Sequence, residues 1–141
     1  VSPEDEEEGR NNMVEGTPHT RIMVVDDMKT NLEVMRSILD NIYDLTLCKS
    51  GYQAIQYMKK NPFPDLIIMD VDMPEMTGIE ATVKINEITG GTIPVLFVTA
   101  ICDAQTVITC RELHAAGYIV RPYKPVYIKA EIERILSGWR H

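Results

Sequence analysis

The sequence predicts an α/β fold in which a five-stranded parallel sheet carries helices on both faces. Three observations predict it. Short, wholly apolar runs such as Ile22-Met23-Val24-Val25 and Leu66-Ile67-Ile68-Met69 have the profile of strands buried on both faces. Segments with apolar residues at helical spacing separate them. The two kinds alternate along the whole chain from Arg21, and with right-handed crossovers this leads to a doubly wound sandwich.

Each element can be justified in order. Residues 1–20 hold no periodic apolar positions and are broken by Gly9, Gly16 and Pro18, so they read as an acidic, flexible N-terminal tail or linker before a single domain over 21–141. Ile22–Val25 forms the first strand and stops at Asp26-Asp27. Asn31 through Leu39 places Leu32, Met35, Ile38 and Leu39 at helical spacing, and Tyr43–Cys48 alternates as a strand. Ala54, Ile55, Tyr57 and Met58 mark a second helix that ends before Pro62 and Pro64. Leu66–Met69 is the third strand, ending on Asp70. Ile79–Ile88 supplies a helix with apolar residues at Ile79, Val83 and Ile85 or Ile88, closed by Gly90-Gly91. Pro94–Val98 is again apolar and ends on Thr99-Ala100. Asp103 suits the N-cap of a helix through Ala115. Gly117–Val120 gives the fifth strand, and Ile128, Ile132, Ile135 and Leu136 form the stripe of the last helix.

Composition narrows the function. A length of 141 residues suits one domain. Six acids against Arg10 within residues 1–16 carry five of the seven net negative charges, so the body is nearly neutral. It lacks the basic surface that neutralises a phosphate backbone, which disfavours nucleic-acid binding. No apolar run approaches the ~20 residues of a membrane span. Cys48, Cys102 and Cys110 form no C-x-x-C and read as reduced thiols of a cytoplasmic protein. The chain begins with Val1, which suggests a processed product or a piece of a longer protein.

In open α/β sheets ligands bind beyond the carboxyl ends of the strands, where the strand order reverses. With the flavodoxin-like order 2-1-3-4-5, Asp26, Asp27, Asp70 and Thr99 converge at that edge. Carboxylates this close resist ionising together unless a cation joins them. An oxygen-only cluster with few ligands suits Mg²⁺.

These residues carry a resemblance. Asp26-Asp27 after an apolar strand, the run Asp70-Val71-Asp72-Met73-Pro74-Glu75-Met76-Thr77-Gly78, Thr99-Ala100 after the fourth strand, and Tyr118 shortly before a basic-Pro pair resemble the receiver domain of two-component response regulators over about residues 20–138. The resemblance implies that Asp70 accepts a phosphoryl group from the phosphohistidine of a histidine kinase or histidine phosphotransfer protein. It implies that Asp27, Asp70 and the backbone carbonyl of Asp72 ligate Mg²⁺, with Asp26 acting mainly through water. It makes Thr99 and Tyr118 a coupled switch, and it leads one to expect a regulatory domain and not an enzyme. Asp72 and Ile101, each two residues after a site residue, are expected to tune the lifetime of the phosphorylated form. The output then lies in a domain or partner protein outside this chain that reads the fourth helix, fifth strand and fifth helix, and a phosphorylation-dependent homodimer is one form that output can take. No direct nucleic-acid or membrane contact is expected.

The chemistry can also be argued from the residues. A carboxylate is a competent nucleophile toward phosphorus, but both groups are negative. Mg²⁺ bridging them removes much of the repulsion, and a second cation and a hydroxyl such as that of Thr99 suit the remaining oxygens, the hydroxyl only once the phosphoryl is present.

The second cation is where the sequence departs from the family. The family has Lys-Pro three residues after the aromatic. Here Tyr118-Ile119-Val120 leads to Arg121-Pro122, with Lys124-Pro125 three residues later. Lys124 would fill the family position only with a three-residue insertion. Arg121 needs none, puts Tyr123 at the family's next aromatic position, and is preferred. Guanidinium is planar and forked where ammonium is a compact point charge, so the replacement is not conservative. The Arg121–Pro122 peptide is the best candidate for a cis bond, because a sharp turn must follow so short a strand.

Two rival readings stay open. One is a docking receiver that works without phosphorylation, its switch weakened by Arg121. The other is a phosphatase of the haloacid-dehalogenase type using Asp70 and Asp72, which resembles this chain only in the tripeptide Asp70-Val71-Asp72 and has Thr or Val where Pro74 stands here.

Overall fold

In the computed structural model, which describes residues 20–138, five strands run parallel in one sheet. In chain order they are β1 (Arg21–Val25), β2 (Asp44–Cys48), β3 (Leu66–Met69), β4 (Val95–Thr99) and β5 (Gly117–Val120). They lie in the order β2-β1-β3-β4-β5, the predicted flavodoxin-like arrangement. The helices are α1 (Lys29–Leu39), α2 (Gly51–Lys60), α3 (Gly78–Thr89), α4 (Ala104–Glu112) and α5 (Pro125–Gly138). Apart from Thr20, the residues of the expected acidic tail lie outside those described.

The two-residue period of the strands divides the core into two layers. Met23, Val25, Ile67, Met69, Val95 and Phe97 face one side, against Ala54, Ile55 and Met58 of α2, Ala81 and Ile85 of α3, and Cys110 of α4. Ile22, Val24, Ile68, Leu96, Val98 and Ile119 face the other, against α1 and α5. There Leu32, Met35 and Leu39 meet Ile128, Ile132 and Ile135, the stripes read from the sequence. Because the central strands are covered on both faces, their sequence is continuously apolar.

Two local details refine the sequence pattern. Val83, apolar at helical spacing, is 40% exposed: α3 buries Ala81, Thr82 and Ile85, turning Val83 toward a groove shared with Tyr52 and Met76. The α4 helix ends at Glu112, short of Ala115. The Leu113 N–H is shared among the carbonyls of Thr109, Cys110 and Arg111, and His114 takes the left-handed region (φ 62°), which turns the chain. Ala116 then donates to the Val95 carbonyl and joins the sheet. The Arg121–Pro122 peptide is cis. Among the described residues no helix is long and apolar enough to cross a membrane.

Candidate functional site

Strand register brings the acids together. Val25 is level with Met69, so the next residues, Asp26 and Asp70, leave the sheet side by side. The Asp70 N–H donates to the Val25 carbonyl and the Asp26 N–H to the Cys48 carbonyl, which prolongs the ladder by one step. Carboxylate oxygens of Asp26, Asp27 and Asp70 lie within 4.8 Å of one another. Asp26 and Asp70 are buried, whereas Asp27 is exposed. This all-oxygen donor set, open to solvent on the Asp27 side, fits a small hard divalent cation.

Arg121 enters from the end of β5. Its N–H donates to the Thr99 carbonyl at 2.8 Å, which aims the side chain back over the sheet edge. One guanidinium nitrogen donates to Asp26 Oδ2 at 2.6 Å, and the other lies 3.7 Å from Asp70 Oδ1. The Met28 N–H donates to the second Asp26 oxygen at 2.9 Å. Burial is the largest influence on the Asp70 carboxyl and pushes its pKa above the usual range. The hydrogen bond from Thr99 and the charge of Arg121 oppose that rise, while Asp26 adds to it.

The segment after Asp70 is locked against it. A Cβ on Gly78 would lie 1.9 Å from the Asp70 carbonyl oxygen, so the first turn of α3 can pass here only as glycine. The Gly78 N–H donates to the Val71 carbonyl at 2.9 Å. A capping box closes the turn, with Glu80 N–H donating to the Thr77 hydroxyl and Thr77 N–H to the Glu80 carboxylate. Gly78 is present in the quoted motif, but its role depends on a nonlocal approach that no residue spacing displays.

Thr99 is fully buried at the end of β4. Its hydroxyl accepts from the Ile101 N–H at 3.3 Å and lies on the Asp70 side of the sheet edge. Tyr118 packs its ring 6.2 Å from that of Phe97 and donates its hydroxyl to the Ile101 carbonyl at 2.7 Å. Burial, helped by Cys110, Asp103, Cys102 and Asp70 nearby, pushes its pKa up to about 12, so it remains a donor. Ile101 therefore receives both site residues through its backbone, a link that its apolar side chain does not announce.

Two sequence candidates stand apart from the carboxylates. Lys124 is exposed just before α5, where its carbonyl accepts from Tyr127 and Ile128, and the cation beside Asp70 is Arg121. The Asp72 side chain is exposed, and the residue reaches Asp70 through its N–H, 3.4 Å from Asp70 Oδ1.

Comparison with known proteins agrees with this geometry. Residues 22–133 match the response regulator receiver domain. Over 117 residues the chain is 32% identical to the transcriptional regulatory protein ZraR of Escherichia coli K12, covering 82% of this chain and 26% of that protein. Over 68 residues it is 43% identical to the signal transduction histidine-protein kinase BarA of the same organism, covering 48% of this chain and 7% of that one. A solved receiver domain of a signal transduction histidine kinase from Syntrophus aciditrophicus superposes with a TM-score of 0.75 at 31% identity, covering 86% of this chain and 93% of that one. A CheY-like receiver domain protein from Methanospirillum hungatei gives 0.79 at 23% identity, a likeness of fold, over 85% of this chain and 95% of that one. The chain thus spans about a quarter of the regulator and a small part of the kinase.

Proposed function

The chain belongs to the response regulator receiver domain family of two-component signalling, and from that premise we propose that Asp70 accepts a phosphoryl group from the phosphohistidine of a partner kinase or phosphotransfer protein. The observation that carries this reading is the burial of the Asp70 carboxylate between Asp26, Thr99 and Arg121 at the strand-order reversal. An Asp70 oxygen attacks phosphorus, the phosphorus–nitrogen bond breaks, and its electron pair leaves with the imidazole. Mg²⁺, held by Asp27, Asp70 and the Asp72 carbonyl with Asp26 acting through water, would screen the two negative groups from each other. Arg121 supports the same step by offering charge to one phosphoryl oxygen, and Thr99 by offering its hydroxyl to another. Because Thr99 and Tyr118 share the Ile101 backbone, movement of the hydroxyl is passed to the loop before α4.

The phosphohistidine carrier is proposed to seat on the groove lined by Asn31, Val34, Ile38, Pro122 and Tyr123, which opens beside Arg121. Output through α4, β5 and α5 to a domain or partner protein outside this chain, the division into an acidic tail over 1–20 and a receiver over 21–141, and a cytoplasmic location complete the proposal. The domain serves as a regulatory phosphoacceptor and not as an enzyme.

Incubation with a small-molecule phosphodonor, with and without Mg²⁺, tests the acceptor. Intact-mass measurement should find one phosphoryl group on the wild type with Mg²⁺ and none on Asp70→Asn. Equal labelling of the variant would move the nucleophile elsewhere. A second reading, the phosphorylation-independent docking receiver, draws support from Arg121 lying closer to Asp26 than to Asp70. Wild type that stays unlabelled with Mg²⁺ would select it.

A further inference from the structure

Both oxygens of Asp26 are already occupied by the protein. Oδ1 accepts from the Met28 backbone, and Oδ2 accepts a short, charge-assisted bond from Arg121. The Asp26 side chain is 3% exposed, so its negative charge is balanced from within. The same guanidinium lies 3.7 Å from Asp70 Oδ1 with its other nitrogen, so its planar fork spans two carboxylates. Only Asp27 of the three acids faces solvent.

From this geometry we propose that Arg121 is a tethered counter-ion that competes with the divalent cation for Asp26. The inference rests on the cation site of the proposed function. The guanidinium fulfils in advance part of what a divalent cation would do, so the site holds that cation less tightly than its three carboxylates allow. Binding of the cation releases Arg121 from Asp26. Arg121 is then free to turn toward a phosphoryl group on Asp70, which orders the events as cation first and phosphoryl second. Arg121 acts here as a positioning residue whose effect is exerted through Asp26.

The test needs no phosphoryl transfer. Mg²⁺ binding to the unphosphorylated chain is measured by calorimetry, and Mn²⁺ binding by the loss of the free-ion spin-resonance signal, for wild type, Arg121→Met, Arg121→Gln and Asp26→Asn. Removing a positive charge held this close to the carboxylates should tighten cation binding at least about tenfold. Arg121→Met should also melt lower than wild type in chelator and regain more on adding Mg²⁺. In an Asp26→Asn background the gain from Arg121→Met should shrink, because the competed carboxylate is gone. Affinities within twofold of wild type for both Arg121 variants would overturn the competition and leave the cation site standing. Absence of binding in every variant would remove the cation site and the competition together.

Discussion

Around Asp70 and around Thr99, one sheet edge is built in two ways. On the Asp70 side the backbone is fixed by the ladder bond to Val25, by the bond from Gly78 to Val71 and by the close approach of Gly78. The helix that follows buries Ala81, Thr82 and Ile85. On the Thr99 side the next helix, α4, buries only Cys110 and leaves Ile108 exposed. Its ties are the Asp103 cap and, through Ile101, the Tyr118 hydroxyl. A chemical change at the shared edge therefore meets a stiff wall on one side and a lightly held helix on the other. On the proposed role of Asp70, the contrast would let the acceptor keep its geometry while a neighbouring surface responds.

The largest expected effect that sharpens this contrast is in core packing. Ile85→Ala in α3 should destabilise the fold by about 2–5 kcal/mol in urea unfolding. Cys110→Ala in α4 should cost about 1 kcal/mol. Equal losses would show that α4 is held as firmly as α3.

Next in size is Gly78→Ala. Its methyl group must displace the Asp70 carbonyl, so stability should fall by about 1–3 kcal/mol and phosphodonor labelling of Asp70 should slow. A variant with unchanged labelling would mean that the Asp70 backbone is not held by α3.

The smallest effect concerns the α4 cap. The Asp103 carboxylate accepts from the Thr106 N–H and the Thr106 hydroxyl, and these bonds, the backbone one first, hold its pKa below the usual carboxylate value. A lowered folded pKa stabilises above the ordinary carboxylate range and is lost as pH falls through the lowered value. Amides of α4 should therefore exchange faster relative to those of α3 and α5 once the pH drops below that range. In Asp103→Asn, which caps without a charge, that pH dependence should vanish.

The central strands were legible because burial on both faces writes itself as unbroken apolar runs, and the polar residue that stops each run, Asp26, Asp70 or Thr99, marks the sheet edge. The acids could be grouped from sequence once strand order was assumed, since register then puts Asp26 next to Asp70. Helix limits were less readable. Met28 caps α1 without a side-chain bond, so the start at Lys29 carries no signal two residues before the first expected helical position. Val83 was not placed by its spacing, because an apolar residue at helical spacing can equally line a groove between two helices. The grip of Arg121 on Asp26 was also hidden. Sequence directs Arg121 to Asp70, and only the path of the chain beyond β5 shows the guanidinium nearer the other acid.

The close approach at Gly78 also divides the site by how freely it can vary over generations. Every replacement at that position adds a Cβ where the Asp70 carbonyl already stands, so no graded series of substitutions is open to it. Asp72, on the same segment, is exposed and meets no such barrier, whereas Glu75 is exposed but holds a left-handed backbone (φ 69°) that restricts its replacements. On the proposed role of Asp70, a lineage of such chains could revise the rim at Asp72, and with it the water that reaches the acid, while the seat of the carboxylate stays unchanged. Diversity of behaviour and constancy of chemistry would then fall to neighbouring residues of one short loop.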